Sequence, residues 1–112
     1  MLDHERLDVY PTSIGFVAIA LGLVETLPRG SSELRDPLRP AATSIPLNIA
    51  EGFGKLDGPE RSRTYAIARG SAIEGAAILD VIRLLSAAPN PSLDEGKRLP
   101  VRVVEMFSKM CR

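Results

Sequence analysis

The chain is short of the residues that usually carry chemistry, and it has no excess of either charge. It has one histidine, one cysteine, no tryptophan, and an aromatic share of only 4%. His4, near the start, leaves a Ser-His-Asp or Cys-His arrangement without a base set inside the fold. The same scarcity argues against a zinc site and against the paired Glu-x-x-His pattern of di-iron bundles. Cys111 cannot close an internal disulfide, which fits a reducing cytoplasm. Acidic and basic residues balance at 14 each. The broad positive field of a dedicated nucleic-acid binder is therefore missing, although a local patch is compatible with the balance. With so few aromatics the core has to be built from Leu, Ile, Val and Ala.

The segment Met1-Leu2-Asp3-His4-Glu5-Arg6 is too acidic for the leading part of a signal peptide. Ile14 to Val24 is free of charge but too short to cross a bilayer. Asn90-Pro91-Ser92 fails as a glycosylation site because proline holds the middle position. The expectation is a soluble, cytoplasmic single domain of 112 residues, without membrane, cofactor, metal or small-molecule substrate.

The hydrophobic spacing predicts four helices and no strand, over roughly 13–27, 36–54, 59–88 and 92–109. After Pro11, the first helix has one face of Ile14, Val17, Leu21 and Val24 and another of Phe16, Ile19, Leu23 and Leu27. A helix apolar on two faces needs cover on two faces, from a subunit interface or from a fully central position. In the second helix Asp36 would be the cap and Pro37 the first position, with Pro40 still in the first turn. Pro46 falls inside the helix, where a kink or bulge is expected, with Ser44 taking up a freed carbonyl. The third helix starts at Asp57-Gly58-Pro59 and should be the longest. Its Ala68, Ala72, Gly75, Leu79 and Ile82 follow the seam of a left-handed bundle, and Ile78, Val81 and Leu85 form a second face. Ser92 to Glu95 reads as a capping box for the fourth helix, which Pro100 interrupts. Lys97, Arg98, Arg102, Lys109 and Arg112 give that helix a basic outer face, either merely solvated or able to meet phosphate.

The stretch that organises the chain is Ser44-Ile45-Pro46-Leu47-Asn48-Ile49-Ala50-Glu51-Gly52. Ser44, Asn48 and Glu51 share one stripe at i, i+4 and i+7, and Gly52-Phe53-Gly54 supplies a stop. Ala68-Arg69-Gly70-Ser71-Ala72-Ile73-Glu74 answers it. Ser44, Asn48, Glu51, Ser71 and Glu74 are expected to form a polar network between helices two and three, tolerable only if fully satisfied. The chemical alternative sets Glu51 and Glu74 in an open cleft as an acid/base pair, one carboxyl held protonated by the other. The glycines from Gly52 to Gly58 have neither dinucleotide-loop spacing nor a preceding strand, and Lys55 is followed by leucine, which removes a P-loop.

These two segments, Leu38-Arg39-x-Ala41-Ala42-x-Ser44-Ile45-Pro46-x-Asn48-Ile49-Ala50-Glu51-Gly52-Phe53-Gly54 and Ala68-x-Gly70-Ser71-Ala72-x-Glu74, resemble the signature of the four-helix-bundle proteins encoded in 23S rRNA intervening sequences. The match extends from about Leu7 to Phe107. The resemblance implies an all-α, antiparallel up-down-up-down bundle, a ring-shaped homopentamer, and no enzymatic activity. The chain is also similar to the accessory protein of diversity-generating retroelements, a basic pentamer that binds a reverse transcriptase and nucleic acid. It departs from the pattern at Pro37 and Pro40, where the family usually has glutamine and a second basic residue, and in its zero net charge. The resulting expectation is a homo-oligomer with RNA or a ribonucleoprotein as the first partner to test. Contacts are expected from Arg35, Arg39, Arg61, Arg63 and Arg69. A small enzyme using Glu51 and Glu74, and a protein-only scaffold, are the rivals.

Overall fold

The computed structural model describes residues 8–27, 32–85 and 90–110. His4, Cys111, Arg112, all but the last residue of the loop expected from Pro28 to Ser32, and the expected end of the third helix near Ala88 lie outside them. Four helices account for nearly all the described residues: α1 (Val9–Thr26), α2 (Ser32–Phe53), α3 (Gly58–Leu85) and α4 (Pro91–Met110). Among the described residues there is no strand. Each helix packs on its neighbours in sequence, and α1 closes the square on α4. The result is an antiparallel four-helix bundle in which α1 and α3 occupy one diagonal and α2 and α4 the other.

Local chemistry sets the helix ends. The Asp57 carboxylate accepts a hydrogen bond from the Glu60 N–H at 2.8 Å, capping α3 ahead of Pro59. At α4 the expected capping box of Ser92 and Glu95 does not form. Asn90 takes the cap instead, its side-chain oxygen accepting from the Ser92 N–H at 2.9 Å, and Pro91 opens the helix. Asparagine followed by proline suits the cap and first position better than Pro-Ser suits the next pair. Glu95 turns to Arg98 at 2.6 Å.

Two starts lie earlier than the spacing suggests. α1 begins at Val9, so Pro11 sits within its first turn, where an amide has no helical acceptor to lose. That helix is 18 residues long with a mean hydropathy of 1.5, enough by length and composition to cross a membrane. In the bundle its Val9, Phe16, Ala20 and Leu23 face the core. α2 begins at Ser32, so Pro37 is well inside it rather than at its first position, and the helix runs through Pro37, Pro40 and Pro46. Each interior proline removes a ladder bond. Burial compensates, because Leu38, Ala42, Ile45 and Ile49 are all fully buried on one face of this helix. The Thr43 hydroxyl donates back to the Arg39 carbonyl at 3.0 Å and the Pro40 carbonyl at 3.3 Å, neither of them a carbonyl that a proline frees, and the Ser44 hydroxyl, expected to take up a freed carbonyl, is engaged with Asn48 and Ser71 instead.

The expected seam of α3 is buried from Ala68 to Ile82. Its proposed second face divides: Ile78 is buried, whereas Val81 and Leu85 are exposed. Two glycines allow the closest approaches. A Cβ on Gly75 would lie 2.9 Å from the Phe16 ring, and one on Gly52 would lie 2.7 Å from the Tyr65 ring. Neither ring can retreat, since Phe16 is fully buried and Tyr65 packs on Phe107 at 5.5 Å between centroids. Gly70, on the outer side of α3, has nothing within 4 Å of a built Cβ. Gly52→Ala should therefore destabilise the fold by about 1–3 kcal/mol through overpacking. Gly70→Ala should stabilise it by about 0.5–1 kcal/mol through helix propensity. Urea midpoints at unchanged slope are the measurement; equal shifts for the two variants would refute the packing account.

Candidate functional site

The signature stretch lies along the α2–α3 seam. The Ser71 hydroxyl donates to the Ser44 hydroxyl oxygen at 2.8 Å across the two helices. The Asn48 side-chain amide donates to that same oxygen at 2.9 Å and to the Ser44 carbonyl at 2.8 Å. Three of the five expected network residues are thus brought together, half-buried. No buried side-chain nitrogen or oxygen among the described residues is left without a partner. Asparagine and serine can do this at modest desolvation cost because they are neutral.

Glu51 and Glu74 are not part of the network. Both are exposed, and Glu51 turns to Lys55 at 3.6 Å, just past the end of α2. The reason is register. With Ser44 level with Ser71, and Gly52 against Thr64 and Tyr65, Glu51 stands level with the start of the Tyr65 turn. Glu74 lies nine residues further along α3, roughly 13 Å away along the axis. The two carboxylates share no cleft, so the acid/base pairing fails on geometry. Among the described residues no three His, Cys, Asp or Glu side chains gather as metal ligands.

The five arginines separate into different roles. Arg61 caps the C-terminus of α2: its guanidinium donates to the carbonyls of Gly52 (3.3 Å), Phe53 (3.3 Å) and Lys55 (2.9 Å) and lies 5.6 Å from the Phe53 ring centre. A planar fork with several donors suits a cluster of orphan carbonyls, and cations are favoured at that end of a helix. Sequence reasoning took Arg61 for a nucleic-acid contact. The signal that could have reassigned it is its place in the first turn of α3, directly after the Gly52-Phe53-Gly54 stop. Arg63 pairs with Glu60 at 3.3 Å on the surface. Arg39 is exposed and Arg35 and Arg69 are half-buried, and none of the three has an ion-pair partner among the described residues. The helix register sets Arg39 and Arg63 about 20 Å apart along the axis. That exceeds the screening length of about 8 Å in physiological salt, so the five do not sum to one patch.

Shallow grooves flank the bundle among the described residues. One, of about 350 Å³ between α3 and α4, is walled mainly by Ile73, Ala77, Pro100, Val101 and Val104, with the carboxylates of Asp80 and Glu105 also in its lining. Another, of about 500 Å³, lies between the end of α1 and the start of α4, against Ala18, Gly22, Thr26 and Ser92. Sequence reasoning did not anticipate the α3–α4 groove, because Ile73 and Val101 look like ordinary core positions when each helix is read alone.

Arg61→Ala should lower stability by about 1–2 kcal/mol, discounted from three charge-assisted bonds because the side chain is largely exposed. Arg61→Lys should recover less than half of that, since an ammonium cannot reach all three carbonyls at once. Chemical denaturation of the three proteins measures this. Equal stability for the alanine variant and the parent would remove the capping role.

The bundle can now be set beside known proteins. Among curated proteins none matches. A solved structure from Bacteroides thetaiotaomicron VPI-5482, a protein with unknown function from the S23 ribosomal protein family, superposes with a TM-score of 0.83 at 16% identity. The alignment covers 93% of this chain and 98% of that one, and at such low identity it speaks for the fold alone. The family model described as 23S rRNA-intervening sequence protein matches residues 5–109, which takes in all four helices and the polar seam. The chain belongs to the 23S rRNA-intervening sequence protein family.

Proposed function

We propose that the chain is a non-enzymatic, self-assembling bundle that serves as a binding module, with RNA or a ribonucleoprotein as its partner. The observation that supports assembly is apolar surface on the outside of the bundle. Ile14, Ile67, Ile73, Val81, Leu84 and Leu85 are all substantially exposed, with Leu84 at 84%. Scattered apolar side chains are ordinary on a surface, but several on one helix make a face that association would cover. Family membership favours a homopentamer, because that is the assembly the sequence resemblance implies.

The absence of a shared site for Glu51 and Glu74 favours binding over catalysis. The RNA partner is supported by Arg35 and Arg39, one turn apart on α2 and without ion-pair partners among the described residues. Such contacts would neutralise backbone phosphate and release counterions, giving affinity that falls with salt.

Size-exclusion chromatography with light scattering at micromolar concentration should give a mass near five times the 12.1 kDa subunit. Binding to a structured RNA should weaken as salt rises from 50 to 200 mM, by roughly tenfold or more if two or more phosphates are contacted. Arg35→Ala combined with Arg39→Ala should reduce the salt slope by about 2. A flat salt response would end the RNA reading, and a monomeric mass would end the assembly reading.

A further inference from the structure

The chain holds six aspartates and two asparagines, and Asp57 alone among them is followed by glycine. After the others come histidine, valine, proline, glutamate or isoleucine, whose side chains crowd the next backbone nitrogen or, in proline, take its hydrogen. Aspartate before glycine is the pair in which that nitrogen most readily reaches the side-chain carboxyl carbon, because glycine has no Cβ in the way. The fold leaves the pair open. Asp57, Gly58 and Pro59 are all exposed at the corner between α2 and α3, and a Cβ built on Gly58 meets nothing within 4 Å. Gly58 is the first residue of α3, so its N–H is one of the amides to which the helix offers no acceptor.

Asp57 supports this corner through both of its acceptor groups. Its carboxylate accepts the Glu60 N–H at 2.8 Å, and its backbone carbonyl accepts the Arg61 N–H at 3.1 Å. The Arg61 guanidinium in turn donates to the carbonyls of Gly52, Phe53 and Lys55 and ends α2. The start of one helix and the end of the one before it therefore hang on a single residue.

We propose that Asp57 is a site of spontaneous isomerisation to isoaspartate, restrained by the α3 cap and releasing both caps once it has occurred. The Gly58 nitrogen attacks Cγ of the neutral Asp57 carboxyl. An N–Cγ bond forms, a Cγ–O bond breaks, and the hydroxyl leaves as water with the amide proton. Water then opens the cyclic imide, at Cγ to restore aspartate or at the former backbone carbonyl carbon to give isoaspartate. The mass is unchanged and no other reactant is consumed. The isomerised chain runs through Cβ and Cγ, one methylene longer, and the old carbonyl carbon ends as a free carboxylate. Neither acceptor then keeps its place at α3, and Arg61 is displaced with them. The attack requires the carboxyl to leave the Glu60 amide and the backbone to turn, so opening of the cap sets the rate. The new carboxylate is the group that an isoaspartate-directed methyltransferase esterifies, and at this exposed corner such an enzyme can reach it.

Ageing of the full chain at neutral pH tests this, with isoaspartate located by proteolytic mapping and by methyl transfer from S-adenosylmethionine. Isoaspartate should accumulate at residue 57, roughly fivefold to thirtyfold more slowly than in the chain unfolded by guanidinium chloride, the factor that one capping bond supplies. Arg61→Ala should raise the folded rate about threefold or more by loosening the corner. Asp57→Ser, which keeps a capping hydroxyl, should form no isoaspartate there and keep the parent's urea midpoint. The aged parent should lose stability as Arg61→Ala does, whereas aged Asp57→Ser should not. No isoaspartate at residue 57, once the unfolded chain has converted, overturns the site. A folded rate equal to the unfolded one, or unmoved by Arg61→Ala, overturns control by the cap. Isomerised protein with the parent's midpoint overturns the release of Arg61.

Discussion

The contact on which the rest of the molecule depends is the closeness of α2 to α3. Gly52 lets the Tyr65 ring lie where a side chain would otherwise be, and that ring rests on Phe107 of α4. Nearby, a single hydrogen bond between the Ser44 and Ser71 hydroxyls locks the same pair of helices. A packed ring and a neutral polar bridge act on different freedoms. The ring fixes separation, because interiors resist overpacking, and the bridge fixes the sliding position, because a slip of one turn leaves two half-buried hydroxyls mismatched. Once these are set, Arg61 falls beside the open carbonyls of α2 and can end that helix, and Glu51 and Glu74 are carried apart to the surface.

Much of this architecture was legible from residue spacing. The seam from Ala68 to Ile82 follows bundle periodicity and is buried as that periodicity requires. Asp57 with Pro59 marks the start of α3 because cap and proline have position-specific chemistry. The helix starts at Val9 and Ser32 were harder to read, because proline signals a break locally while burial of Leu38, Ile45 and Ile49 sustains the helix from a distance. Propensity is a local quantity, and tertiary packing outweighs it here. Within the polar signature, helical periodicity correctly grouped Ser44 and Asn48. It could not show that Glu51 would be one turn beyond the contact, since register belongs to two helices and periodicity to one.

The arginines show the same limit from the side of charge. Read as a set, Arg35, Arg39, Arg61, Arg63 and Arg69 suggest a basic surface. In the fold one is a helix cap, one is engaged with Glu60, and the others lie at different levels. A residue type does not reveal whether its charge is already spent on the backbone, and here the helix terminus is the competitor. Local cation density, rather than net charge, is what a phosphate backbone meets. On this bundle that leaves α2 as the place where neighbouring arginines remain available.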